Sequence, residues 1–114
     1  MREMIFSMFE LVDEKKWDDL HLFYLLNATY ERPGYSPYIG IKSIIDFYKF
    51  ERIVEVGKHS LDGWIDSDGE ACCWGQFSGV GKTGDVLSER FCDIYNFENG
   101  LIKTRRTYFF RPAI

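Results

Sequence analysis

Too few cysteines and histidines are present to organise a metal site or a disulfide framework. The 114-residue chain has three cysteines and two histidines. Cys72 and Cys73 are adjacent, so on a strand they would point to opposite faces, and the three cysteines make an odd set. His21 and His59 complete no C-x-x-C or H-x-x-x-H spacing of the kind zinc requires. No metal, no cofactor and no disulfide scaffold is expected.

Long apolar runs are also missing: none approaches the roughly 20 residues a membrane helix needs. The start Met-Arg-Glu-Met-Ile-Phe lacks the basic region, apolar stretch and cleavage site of a secretion signal, so a cytoplasmic location is expected, and Asn27-Ala28-Thr29 carries no weight as a glycosylation sequon. Positive charge is in deficit, with 14 Lys and Arg against 18 Asp and Glu for a net charge of -4, which excludes an electrostatic nucleic-acid binder. What is abundant is apolar surface. At 46% hydrophobic and 18% aromatic residues the chain is neither disordered nor short of core, and its length fits a single domain over 1–114.

Met4, Ile5, Met8, Leu11 and Val12 follow helical spacing, and Trp17, Leu20 and Tyr24 repeat it after a polar break from Asp13 to Lys16. Two N-terminal helices are predicted. The β-type residues around Thr29 and Tyr30 then form a short strand, closed by Arg32-Pro33-Gly34 and Pro37, because a residue before proline avoids the helical region. Ile41, Ile44, Ile45 and Tyr48 predict a third helix that runs through Arg52 to a stop at Gly57. Beyond it, turn signals at Ser67-Asp68-Gly69, Gly79 to Gly84 and Glu98-Asn99-Gly100 separate four antiparallel strands in a meander. Gly81-Lys82-Thr83 lacks the spacing and the following helix of a phosphate-binding loop and reads as a hairpin turn. Helices first and strands second make an α+β fold, with helices covering one face of a curved sheet around a cavity.

The stretch from Leu20 to Tyr48, with Ala28-Thr29-Tyr30-Glu31-Arg32-Pro33-Gly34, and the closing hairpin from Phe91 to Phe109 resemble the superfamily of nuclear transport factor two, ketosteroid isomerase and the SnoaL-like polyketide cyclases. The resemblance implies a cone-shaped, curved antiparallel or mixed sheet of the cystatin-like, ketosteroid isomerase-like kind, covered by three N-terminal helices. It implies isomerase, cyclase or hydratase chemistry on a small apolar carbonyl compound, or ligand binding without catalysis, since this superfold hosts many activities. Arg32 stands where the isomerase has its proton-transfer aspartate, and Met8 stands near its oxyanion tyrosine. Asp93 matches the isomerase's second oxyanion-hole residue, a buried protonated aspartate. Thr107 falls where epoxide hydrolases of this fold place a water-activating aspartate.

Strand alternation sets Glu89, Phe91, Asp93, Tyr95 and Phe97 on one face, which the resemblance assigns to the cavity. Arg105, Thr107 and Phe109 share it if the last strand keeps register; a slip of one residue would swap the faces. Asp93 is then either the acid/base group or half of a buried ion pair, and Arg32 or Arg105 either holds a ligand carboxylate or enolate oxygen or pairs with Asp93 or Glu89. His59, opening the strand after the third helix, is a candidate for proton transfer. Tyr24, Tyr30, Tyr48, Phe91, Tyr95, Arg105 and Thr107 are the expected ligand contacts, and His21 is expected at the surface. Trp64, Arg106, Tyr108 and Phe110 form an outward set suited to a homodimer.

Overall fold

In the computed structural model, residues 1–110 are described; the last four residues of the expected domain, 111–114, lie outside them. Helix α1, Arg2–Asp13, buries Ile5, Met8, Phe9 and Val12 along one stripe. Each such side chain contributes roughly 1.5–3 kcal/mol when removed from water. The helix ends in a Schellman motif: the amide of Lys15 donates to the Val12 carbonyl and that of Lys16 to the Leu11 carbonyl. Lys15 takes the left-handed conformation at φ 62°, which favours glycine.

The second expected helix is a single 3-10 element, Trp17–Leu22, and Tyr24 opens strand β1, Tyr24–Glu31. Spacing of three between Trp17 and Leu20 suits three residues per turn, and the position of Tyr24 is decided by its burial in the sheet. His21 is exposed on that element and accepts no core role. After β2, Tyr38–Ile39, the third helix is α2, Ile41–Asp46, continued by a π-turn, Phe47–Glu51. The wide turn, closed by the Arg52 amide on the Phe47 carbonyl at 2.9 Å, buries both Phe47 and Tyr48.

Helical structure therefore stops at Glu51 rather than at Gly57, and β3 runs Val54–Ser67, with His59 inside it rather than at its start. Gly57 does a different job: a side chain there would collide with the ring of Phe77. Strands β4, Glu70–Gly81, β5, Val86–Glu98, and β6, Leu101–Phe109, complete the meander. The turns between β3 and β4 and between β5 and β6 are two-residue links, Asp68-Gly69 and Asn99-Gly100, with all four residues at positive φ, as the hairpin twist demands.

Sheet order is β2-β1-β6-β5-β4-β3, with β1 parallel to β6 and every other pair antiparallel. Register breaks between Leu61 and Gly63 and between Asn96 and Phe97 add bulges that bend the long strands. The first bulge also corrects an expectation. Trp64 pairs with Cys73, which is buried, so Trp64 faces the concave side and packs on the core instead of joining the outward set. Arg106 and Tyr108 do face outward, and Phe110, just beyond β6, is 81% exposed. Among the described residues no helix is long and apolar enough to cross a membrane.

Candidate functional site

Register builds the floor of the cavity. Asp93 on β5 lies directly across from Thr107 on β6, while Arg105 lies across from Tyr95 on one side and Tyr30 on the other. All five side chains are buried, and the last strand keeps the face expected from its hairpin. Asp93 Oδ1 accepts from the Thr107 hydroxyl at 2.5 Å; Oδ2 accepts from the Tyr95 hydroxyl at 2.8 Å and from Arg105 Nε at 3.0 Å, and forms an ion pair with Arg105 Nη2 at 2.9 Å. Arg105 Nη1 donates to the hydroxyls of Tyr24 and Tyr48 at 3.1 and 3.0 Å. Thr107 has one proton and gives it to Asp93, so the Tyr30 hydroxyl, 3.2 Å away, donates to Thr107.

No buried side-chain nitrogen or oxygen among the described residues is left without a partner. Burial lowers the pKa of Arg105, but Asp93 and the surrounding phenols outweigh it and hold the guanidinium charged far above its ordinary range. Burial likewise pushes the Tyr30 phenol up to about 12, and raises Tyr24 and Tyr95, so these hydroxyls stay protonated donors. Asp93 and Arg105 thus satisfy each other. Tyr24 and Tyr95 sit beneath the floor, outside the cavity lining, whereas Tyr30, Tyr48, Phe91, Asp93, Arg105 and Thr107 face it.

Above this floor lies a cavity of about 190 Å³, walled by Phe9, Phe47, Phe77, Phe91 and Phe109 and by the polar groups His59, Arg32, Arg52 and Glu89. His59 reaches it from β3 with a side chain 10% exposed. Asp13, the last residue of α1, grips it twice: Oδ2 accepts from the His59 backbone amide at 2.8 Å and Oδ1 meets Nδ1 at 2.6 Å. A carboxylate only accepts, so Nδ1 carries the proton and Nε2, on a ring that lines the cavity, keeps a lone pair. Burial lowers the His59 pKa from 6.5, against the opposing pull of Asp13, and so leaves the imidazole neutral at pH 7. The rings of Phe9, Phe77 and Phe91 surround it at centroid distances of 4.6, 4.8 and 5.7 Å.

Arg52 follows the π-turn and lays its guanidinium over Tyr48 and Phe77, 5.2 Å from each centroid; Arg32 lies 4.5 Å over Phe47. Of the three residues expected to carry chemistry, His59 and Arg32 line the open cavity, and Asp93 is locked into its floor. Asp13 and Arg52 escaped the sequence reading. Asp13 left one signal: a carboxylate in the last turn of a helix opposes the helix dipole, so something else must hold it there. Arg52 left none, because only the π-turn aims it inward.

The family model described as a SnoaL-like domain matches residues 5–105. No curated protein matches the chain in sequence. Among solved structures, an NTF2-like protein of unknown function from Burkholderia pseudomallei is similar at TM-score 0.86 and 15% identity, over 95% of this chain and 88% of that one. A hypothetical protein from Catenulispora acidiphila with a ketosteroid isomerase-like fold, in complex with trimethylamine, is similar at TM-score 0.83 and 10% identity, over 93% and 84%. TerC, co-crystallised with polyporic acid, is similar at TM-score 0.83 and 11% identity, over 94% and 88%. Since the family model covers the helices, the sheet and the cavity floor as far as Arg105, this chain belongs to the SnoaL-like domain family.

Proposed function

We infer that residues 1–114 form one SnoaL-like domain that acts as an enzyme on a small carbonyl compound, shifting a proton with His59 as general base. The observation that carries this reading is the double grip of Asp13 on His59, which leaves Nε2 unprotonated on a ring that lines an aromatic cavity. In the step, Nε2 takes a proton from a carbon beside the carbonyl, the C–H electron pair moves into the enolate, and the imidazolium returns the proton to another carbon or to oxygen. Arg52 and Arg32 supply positive charge where the enolate oxygen gains negative charge. Asp93, engaged on both oxygens, anchors Arg105 and the tyrosine floor, and Met8 and Arg32 in place of the isomerase groups point to a different placement of the base on the same fold.

The test is hydrogen–deuterium exchange followed by NMR in heavy water with two probes, phenylacetone and phenylpyruvate. Wild-type protein is expected to accelerate loss of the carbon-bound proton signal of at least one of them, and His59→Gln to remove most of that gain, since a positioned base contributes ~10²–10⁴-fold. Equal exchange in wild type and His59→Gln would refute the reading and favour a domain that only binds its ligand.

The chain is also proposed to pair through the convex face of the sheet. Ile65, Ile94 and Tyr108, with the neighbouring Phe110, expose 63%, 38%, 47% and 81% of their surface and give that face apolar groups for a partner to cover. A dimer in sedimentation at micromolar concentration is expected; a monomer rejects the pairing.

A further inference from the structure

The cavity's size and its cations narrow the substrate class. An engineered protein cavity of ~150 Å³ accepts one benzene molecule. The space here, about 190 Å³ and partly open to solvent, takes one six-membered ring and a short substituent within its walls, so a fused multi-ring skeleton would project beyond them. Phe77, Phe91 and Phe109 give that ring apolar contact.

The polar side of the cavity presents cations to a ligand. Three guanidiniums line it with the carboxylates of Glu89 and Asp93, Asp13 acts on Arg52 from beside the lining, and His59 is neutral. Arg105 directs each of its three nitrogens at Asp93, Tyr24 or Tyr48. Arg52 differs: the rings of Tyr48 and Phe77 hold it by its flat faces, while Arg32 lies over Phe47 and also engages Tyr38. A guanidinium stacked this way keeps its edge, the forked set of donors that fits a carboxylate, available for a ligand. Arg52 and His59 also pack against the same ring, Phe77, so an anion held by one lies beside the base.

We propose that the ligand is a monocyclic carboxylic acid, bound as its anion, with the carboxylate on Arg52, Arg32 flanking it, and the ring among Phe77, Phe91 and Phe109. Only the placement of its reactive carbon at Nε2 rests on the proton-transfer reading; the ligand class stands on volume and charge. In a ligand of this class that bears a carbonyl, the carbon whose proton is removed lies between the ring and the carboxylate end.

The experiment is isothermal titration of the full chain with phenylacetate, its neutral isostere phenylacetamide, and 2-naphthylacetate. Phenylacetate is expected to bind at least tenfold more tightly than either of the others. Arg52→Met should bring phenylacetate down to the level of the amide and leave the amide unchanged. Circular dichroism and thermal unfolding establish that the variant folds; should it fail to, Arg52→Lys and the salt dependence of phenylacetate binding by wild type answer the same question, with weakening expected in both. Amide or naphthyl binding equal to that of phenylacetate, an Arg52 variant that binds phenylacetate as wild type does, or no binding of any of the three at millimolar concentration would overturn the proposal. His59→Gln separates the two readings. Retained phenylacetate binding with no His59-dependent exchange removes the catalytic reading alone, whereas His59-dependent exchange on phenylacetone without preference for the acid removes the ligand class alone.

Discussion

Asp13 and His59 lie 46 positions apart in sequence and are joined by two hydrogen bonds, one to the ring at 2.6 Å and one to the backbone amide at 2.8 Å. The second bond fixes the carboxylate, and the fixed carboxylate then fixes the tautomer. Burial and Asp13 act on the imidazole in opposite senses, with burial dominant. Asp13→Asn removes the opposing pull and keeps the burial, so the His59 pKa is expected to fall further below 6.5. Titration of the imidazole carbon-bound protons by NMR checks this, and an unchanged or higher value would show that Asp13 does not contact the ring in solution.

The same burial ties stability to pH. His59 has a folded pKa below 6.5, so in the window between the two values the unfolded chain binds more protons. Its contribution is complete above 6.5 and is lost as pH falls toward the folded value. Urea unfolding at pH 7.5 and pH 5.5 is expected to show a larger loss for wild type than for His59→Gln. Parallel losses in the two proteins would contradict the assignment.

Cutting the floor leaves a charge stranded. Asp93→Asn takes the counter-charge from a buried guanidinium, and breaking a buried pair in this way costs ~3–5 kcal/mol. Removing both charges, as in Asp93→Leu with Arg105→Met, is expected to cost less than the single change. Chemical denaturation of the single and double variants decides it; a double variant less stable than Asp93→Asn would mean that the tyrosine contacts, and not charge pairing, dominate the floor.

Lys15 offers a gain. Its left-handed backbone at φ 62° disfavours any residue with a side chain, and its ion pair with Glu55, at 4.0 Å between exposed groups, contributes little. Lys15→Gly is expected to stabilise by about 0.5–1 kcal/mol, the relief of the left-handed strain less the greater freedom of glycine in the unfolded chain. A lower melting temperature would show that the Glu55 pairing outweighs the strain.

Much of this was legible before any coordinates. The period-two pattern of Phe91, Asp93 and Tyr95 and the Asn99-Gly100 turn fix the closing hairpin, because alternation and turn chemistry are local properties. Trp64 was misplaced because a bulge at Asp62 shifts the alternation, and a bulge leaves no mark in the pattern of residue types. Gly57 reads as a helix stop for a similar reason: its missing side chain accommodates Phe77 from the neighbouring strand, a long-range demand. The Asp13–His59 pair depends on α1 crossing the sheet at β3, and Arg52 depends on one widened turn. Both are set by tertiary packing, so residue type alone marked His59 and Arg32 as candidates and passed over their partners.

The orientation of the His59 imidazole can be read directly from nitrogen-15 chemical shifts of the ring at pH 7. A protonated Nδ1, an unprotonated Nε2 and a shift of Nε2 alone when phenylacetate is added would match a base held by Asp13 and facing the cavity. Protonation at Nε2 with a bare Nδ1, or an imidazolium, would mean that the lone pair does not face the cavity and that His59 does not take the proton.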